Sequence, residues 1–256
     1  MNPVTAAIRG GAGSGPALVA YLTAGFPSRE GFPGLLAAVA AAADVVEIGV
    51  PFSDPMADGR TIQRSSRIAL AGGATLRWLL AELTAAGGRF EAPLLLMSYL
   101  NPLLAFGLDA LPAMARRADV AGFIVPDLPH EESAALSAAL AREGLSLVQF
   151  VAPATPHERA ARLCAASQGF VYALTATGVT GQDVALPEAT LEYLSRLRRT
   201  SPVPVCAGFG IRHRAQVERL APHVDGVIVG SALVEAIERG EDAAGFLNGL
   251  RRRQAA

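Results

Sequence analysis

Three carboxylates lie close together in the stretch VVEIGVPFSDPMADG, which runs from Val45 to Gly59. Glu47 falls inside an apolar, β-branched run typical of a buried strand, whereas Asp54 and Asp58 belong to the more polar segment that follows. A carboxyl group in an apolar site has a raised pKa and can exchange a proton near neutral pH. The stretch therefore indicates either general acid–base chemistry or a structural acid.

Strand context alone does not decide between these two interpretations of Glu47. Side chains alternate in direction along a strand, so Glu47 points either into a barrel or outward toward covering helices, where an unpaired carboxylate is costly. The structural alternative is a carboxylate satisfied by a neighbouring hydroxyl or arginine. Asp58 should stay ionised and able to accept a hydrogen bond from a ring N–H, although it also suits an ordinary turn before Gly59. Asp54, followed by Pro55, is more simply a turn residue.

Composition limits the partners and the chemistry of the chain. A formal net charge of -1 and a pI near 6.4 give no broad basic surface, so neither nucleic acid nor membrane is expected as a partner. No export signal or membrane-spanning run is found, which predicts a cytoplasmic protein. All 22 basic residues are arginine, which excludes a lysine Schiff base on this chain. The histidines show no ligand spacing, so no metal site is expected.

The order of apolar and helical segments predicts the fold. Residues 1–256 are expected to form a single α/β domain, a (β/α)8 TIM barrel with extra helices such as Thr61 to Ala71. A doubly wound open sheet is the alternative. The predicted strands are Ala17 to Thr23, Val45 to Val50, Pro93 to Tyr99, Val120 to Val125, Leu145 to Val151, Gly169 to Thr175, Val203 to Ala207 and Gly226 to Val229. The predicted helices include Glu30 to Ala43, Thr75 to Ala86, Glu131 to Glu143, Pro156 to Ala166, Pro187 to Arg199 and Arg212 to Leu220.

The loops after the predicted strands carry the remaining unusual residues. Glycine-bearing loops follow strands six, seven and eight, where a (β/α)8 barrel commonly binds phosphate through backbone N–H groups and a helix N-terminus. Ser231 adds a hydroxyl there. Four aromatic side chains are expected around the same mouth and favour a flat aromatic ligand over a small sugar phosphate; they are Tyr21, Tyr99, Tyr172 and Phe209.

At these residues the sequence resembles the α subunit family of tryptophan synthase. EIGVPFSDPMADG is similar to the family signature around two catalytic acids, and YLTAGFPS, NP, VPDLP, TGVTG, GFGI and VGSA follow in the family's order. The resemblance implies cleavage of 1-C-(indol-3-yl)glycerol 3-phosphate to indole and D-glyceraldehyde 3-phosphate, in tryptophan biosynthesis. It implies no cofactor on this chain and a β subunit partner that carries pyridoxal phosphate, in a complex of two α and two β subunits.

The resemblance also assigns roles to residues. Glu47 would be the proton-transferring acid and base, and Asp58 would accept a hydrogen bond from the indole N–H. Thr180 would help to close the site, and the Pro51 to Pro55 loop would touch the β subunit. The phosphate-binding positions are Gly181, Gly210, Gly230 and Ser231, and the indole pocket comprises Tyr21, Met97, Tyr99, Tyr172 and Phe209.

Three positions depart from the family pattern. Arg60 stands where proline is frequent, Ala176 replaces a frequent arginine, and Phe26 stands where aspartate is common. Arg60 could pair with Asp58 or with a partner, and with Ala176 it motivates a second hypothesis, a stand-alone lyase that releases indole. A phosphosugar isomerase or epimerase and a barrel without catalytic activity are further alternatives.

Overall fold

The computed structural model describes residues 1–11, 15–175, 187–208 and 210–251. Eight parallel strands pair in chain order and close into a barrel, with the first strand bonded to the last. The predicted (β/α)8 barrel is therefore confirmed, and the open sheet is wrong. The strands are β1 (Ala17–Thr23), β2 (Val45–Gly49), β3 (Leu94–Met97), β4 (Val120–Ile124), β5 (Ser146–Val151), β6 (Val171–Leu174), β7 (Val205–Gly208) and β8 (Gly226–Val229).

Twelve α-helices lie in the described part of the chain, and most of those predicted are found within one or two residues of the expected bounds. The predicted helix from Glu131 to Glu143 is interrupted, because Ser133 bonds back to the carbonyl of His130 and closes a short 3-10 turn over His130–Glu132. The helices are α1 (Pro3–Gly11), α2 (Phe32–Ala42), α3 (Arg60–Ala71), α4 (Leu76–Ala86), α5 (Leu100–Phe106), α6 (Leu111–Arg117), α7 (Ala134–Arg142), α8 (His157–Ala166), α9 (Glu188–Thr200), α10 (Arg214–Leu220), α11 (Ser231–Glu238) and α12 (Ala243–Leu250).

Strand side chains divide between two apolar cores. Those on the inner face of the barrel, including Val19, Val45 and Leu95, pack with one another, whereas Val46 and Ile48 pack in the larger core between strands and helices. Because side chains alternate along a strand, Glu47 shares the inward direction of Val45. Closure of the barrel thus decides the direction that the sequence left open.

Helix α1 covers the end of the barrel where the strands begin. Val4 and Ile8 are completely buried and pack with the inner-face residues of the barrel. The Thr5 hydroxyl donates to the carbonyl of Gly169 at 2.7 Å, and the Asn2 amide donates to the Ser146 hydroxyl at 2.7 Å. The sequence pattern does not predict this helix, since it is nine residues long and its apolar positions contact distant strands.

No helix in the described ranges is long and apolar enough to cross a membrane.

Candidate active site

A cavity of about 250 Å³ opens at the carboxyl end of the strands. It brings together residues that are far apart in the sequence. Seven of the predicted site residues line it, namely Tyr21, Asp58, Met97, Tyr172, Gly210, Gly230 and Ser231. Glu47 and Tyr99 are not among the residues that line the cavity.

Glu47 sits beside the inner end of this cavity. Strand register pairs it with Tyr21 on β1 and with Leu95 on β3, and Tyr21 lines the cavity. The Glu47 side chain is 0% exposed, and neither carboxylate oxygen has a hydrogen-bond partner among the described residues. Burial raises its pKa to about 8, because the charged form is poorly solvated. Such a carboxyl group holds a proton at neutral pH and can release it to a group in the adjacent cavity. The lack of a hydrogen-bond partner among the described residues argues against a purely structural role for Glu47.

Asp58 has a different environment on the cavity wall. Its loop is turned by the bond from its own N–H to the Pro55 carbonyl. Burial raises the pKa of Asp58 to about 6, and a hydrogen bond from the Tyr99 hydroxyl lowers it in part. Asp58 is therefore ionised above about pH 6, although its surroundings are less polar than a loop aspartate predicts. An ionised carboxylate at this place can accept a hydrogen bond or stabilise a positive charge.

Tyr99 supports the loop instead of forming the cavity wall. Its hydroxyl accepts the Ala57 N–H at 2.9 Å, and it also lowers the pKa of Asp58. Its ring stacks on Phe52, with centroids 5.3 Å apart. One side chain that follows β3 thus contacts the loop after β2 at two points.

Arg60, the departure beside Asp58, points to solvent as the first residue of α3. In the described part of the chain no ion pair joins Arg60 to Asp58, and the neighbour that lowers the pKa of Asp58 is Tyr99. Asp54 is exposed and bonds to the adjacent Ser53 hydroxyl, which agrees with a turn residue.

The segments that follow β7 and β8 present backbone donors to the cavity. Helix α11 begins at Ser231, and its N-cap is Gly230, which has no side chain to cap the first turn. The first bond within the helix runs from Val234 to the Gly230 carbonyl, so the N–H groups of residues 231–233 have no acceptor inside the helix. Gly210 adopts φ +72, a conformation that favours glycine. Free N–H groups at a helix N-terminus suit a phosphate group.

Two tyrosines lie across glycines of the neighbouring strand. A Cβ at Gly49 would overlap the hydroxyl of Tyr21, and a Cβ at Gly208 would overlap the ring of Tyr172. These rings rest on the ends of β2 and β7, where glycine leaves room for them. The ring of Phe150 packs against Tyr172, with centroids 4.7 Å apart, and extends the apolar wall.

Several residues that line the cavity were not predicted from the sequence, and they include Ile62, Pro126, Phe150, Leu174 and Ile228. Apolar residues at such positions resemble the rest of the core, so their types alone carry no functional signal. Phe150 is the one with a usable signal, since it is an aromatic residue near the end of a predicted strand.

Four positions named above, Gly181, Thr180, Phe209 and Ala176, lie outside the described residues. Phe26, the third departure, is buried in the core between strands and helices. No group of His, Cys, Asp or Glu side chains within the described ranges could hold a metal ion.

The fold and this site together define a (β/α)8-barrel enzyme with two acids of different pKa beside an apolar cavity and a helix end with free N–H groups. The sequence profile of the tryptophan synthase alpha chain family matches residues 11–254. The tryptophan synthase alpha chain of Nitratidesulfovibrio vulgaris is 44% identical over 233 residues, which are 91% of each chain.

Solved structures agree with this match. A Mycobacterium tuberculosis tryptophan synthase chain superposes with a TM-score of 0.87 at 37% identity, covering 97% of this chain and 95% of that one. A chain of the Pyrococcus furiosus tryptophan synthase complex, described as mutually activated, superposes with a TM-score of 0.84 at 34% identity, covering 93% and 98%. The chain belongs to the tryptophan synthase alpha chain family, a family of lyases, which confirms the family predicted from sequence.

Proposed function

We propose that this chain cleaves 1-C-(indol-3-yl)glycerol 3-phosphate to indole and D-glyceraldehyde 3-phosphate, with Glu47 and Asp58 as the catalytic acids. The observation that carries the proposal is Glu47, a completely buried carboxyl group without a hydrogen-bond partner among the described residues and with a pKa of about 8. A raised pKa at the inner end of a cavity is typical of a general acid and base.

The reaction divides between the two acids. Glu47 protonates C3 of the indole ring, and the resulting positive charge spreads to the ring nitrogen. Asp58 accepts a hydrogen bond from that N–H and stabilises the charge. Glu47, now ionised, helps to remove the proton of the glycerol hydroxyl; the carbon–carbon bond breaks, its electron pair returns to the ring, and the aldehyde forms. This division requires Glu47 protonated and Asp58 ionised, which their pKa values of about 8 and about 6 provide near neutral pH.

The rest of the cavity holds the two ends of the substrate. Tyr21, Met97 and Tyr172 provide an apolar wall for the indole, with Tyr99 supporting the wall from behind. The N-terminus of α11 at Gly230 and Ser231, together with Gly210, binds the phosphate through N–H groups and a hydroxyl. Gly181, Phe209 and Thr180 stay predictions for the phosphate site, the indole pocket and loop closure.

The partner is a tryptophan synthase β subunit that carries pyridoxal phosphate and receives the indole, in a complex of two α and two β subunits. The solved complex of the Pyrococcus furiosus relative supports this assembly. No cofactor is assigned to this chain. The cytoplasmic location and the single domain over residues 1–256 stay predictions.

The direct test is the release of indole from indoleglycerol phosphate by the purified chain, compared with Glu47→Gln and Asp58→Asn. We expect Glu47→Gln to lower kcat by about a hundredfold or more, because it removes a positioned acid and base. Glutamine has the same shape as glutamate, so the far-UV circular dichroism should not change. Unchanged turnover in Glu47→Gln would contradict the assigned role.

The same assay with added β subunit tests the assembly. Stimulation of indole release by the β subunit is expected, and high turnover of the chain alone without stimulation would favour the stand-alone lyase. Turnover of a ketose phosphate without release of indole would replace the proposal with the phosphosugar isomerase or epimerase.

A further inference from the structure

Glu235 connects three separate parts of the active-site rim, although it does not line the cavity. It lies on α11, four residues after Ser231. Its Oε1 accepts hydrogen bonds from the Thr61 hydroxyl at 2.8 Å and from Arg212 Nη2 at 3.1 Å, and its Oε2 accepts from Arg212 Nη1 at 2.6 Å. The bond with Arg212 is the largest cause of a lowered Glu235 pKa, so the group is ionised at neutral pH.

Each of these three residues is close in sequence to a part of the site. Thr61 lies in the first turn of α3, three residues after Asp58, and its neighbour Ile62 lines the cavity. Arg212 follows Gly210 by two residues. Glu235 is about one turn from the phosphate end of its own helix. The Glu235 carboxylate therefore connects the loop of Asp58 with the two described parts of the proposed phosphate site, which are Gly210 and the N-terminus of α11.

The chemistry of these contacts gives a defined geometry. Arginine and carboxylate form two parallel, charge-assisted bonds that fix orientation as well as distance. The pair is largely shielded from solvent, with the Arg212 and Glu235 side chains 28% and 22% exposed. Reacting groups displaced by about 1 Å can cost about a hundredfold in rate, so a contact of this kind is able to influence catalysis without touching the substrate.

We propose that Glu235 is a positioning residue that sets the distance between the phosphate-binding end and the indole-binding acid Asp58. This inference rests on the proposed function, because it concerns a substrate that reaches from the phosphate-binding end to Asp58. It predicts that loss of Glu235 lowers kcat/KM for a substrate that carries both an indole ring and a phosphate. Indole alone and inorganic phosphate alone should bind as they do to the wild type.

An ion pair between α11 and α3 provides a matched control. Glu238, three residues further along α11, pairs with Arg64 on α3, and their side chains are 35% and 43% exposed. Exposed pairs of this kind contribute little to stability. Glu238 lies outside the cavity lining and accepts hydrogen bonds from Arg64, so its loss should not disturb the rim.

The experiment compares Glu235→Gln with Glu238→Gln. For Glu235→Gln we expect kcat/KM for indoleglycerol phosphate to fall by about tenfold, whereas the inhibition constants of inorganic phosphate and of indole stay within twofold of wild type. Glu238→Gln should match wild type in all three measurements. Unchanged kcat/KM in Glu235→Gln, or parallel weakening of phosphate and indole, would overturn the inference.

Thr61 gives a second test that does not depend on the folding of Glu235→Gln. Thr61→Val removes the hydroxyl at nearly constant shape. It should lower kcat/KM while the inhibition constants of phosphate and indole stay near wild type. Thr61→Ser retains the hydroxyl and should keep kcat/KM near the wild-type value. Equal activity of the two variants would contradict the role of this hydrogen bond. Failure of the wild-type chain to release indole overturns the proposed function, whereas wild-type turnover with no Glu235 or Thr61 effect overturns only this inference.

Discussion

At the scale of single residues, two carboxyl groups acquire different acidities from their surroundings. Glu47 has lost water and has no hydrogen-bond partner among the described residues, whereas Asp58 has lost water but retains a bond from Tyr99. Desolvation favours the neutral form of both groups, and a hydrogen bond to the charged form favours ionisation. The pair is therefore separated by about two pKa units, which allows one acid to carry a proton while the other carries a charge.

This separation predicts a bell-shaped dependence of kcat/KM on pH. Activity should fall below about pH 6, because Asp58 becomes protonated, and above about pH 8, because Glu47 loses its proton. The Tyr99 bond lowers the pKa of Asp58, so Tyr99→Phe should move the acidic limb to higher pH and leave the basic limb in place. The measurement is kcat/KM for indole release between pH 5 and 9 at constant ionic strength. An acidic limb that does not move in Tyr99→Phe would contradict this assignment.

At the scale of elements, the close pairing of parallel strands determines where side chains have room. Tyr21 on β1 pairs with Glu47 on β2, and its ring leans over Gly49, two residues further along β2. Tyr172 on β6 leans over Gly208 on β7 in the same way. Each ring thus borders the cavity only because the adjacent strand ends in glycine.

Gly49→Ala should therefore displace Tyr21, which lines the cavity. The new methyl group would overlap the Tyr21 phenol, so we expect a loss of about 1 to 3 kcal/mol in the free energy of unfolding and a raised KM as the ring moves into the cavity. Gly34→Ala is the matched control, because Gly34 lies in α2 with no atom within 4 Å of an added Cβ, and it should be neutral or stabilising. Urea unfolding and steady-state kinetics measure both effects. Equal stability of the two variants would argue against the overlap.

At the scale of the whole molecule, stability and chemistry lie at opposite ends of the barrel. The cavity and its acids are at the carboxyl ends of the strands, while α1 covers the other end with Val4 and Ile8. None of the described α1 residues lines the cavity. The barrel can therefore lose packing there without losing the geometry of its site.

Ile8→Ala tests this separation. Ile8 is 0% exposed, so its truncation should lower the free energy of unfolding by about 2 to 5 kcal/mol while KM for indoleglycerol phosphate stays unchanged at temperatures where the protein is folded. The same substitution at Ile68, which is 41% exposed on α3, should cost less than about 1 kcal/mol. Urea unfolding gives the stability, and the indole assay gives KM. A change in KM for Ile8→Ala would show that the two ends are coupled.

The sequence alone determined the features that depend on local pattern. Apolar runs and helical periods located the eight strands, with Ala17 to Thr23 and Gly226 to Val229 found at the predicted bounds. Seven of the predicted residues line one cavity, because carboxyl ends of parallel strands meet at one rim of a barrel. Helix α1 is the exception, since it and the preceding Asn2 are held by Gly169 and Ser146, which are remote in sequence.

Only the tertiary structure decided what depends on neighbours across the barrel. Strand register turned Glu47 inward and left it without a hydrogen-bond partner in the described ranges, and it placed Tyr99 behind Asp58 instead of on the cavity wall. It also brought Thr61, Arg212 and Glu235 into one network from three distant segments. The physical reason is the same throughout: acidity and position depend on distances between strands and helices, which barrel closure sets and local periodicity does not encode.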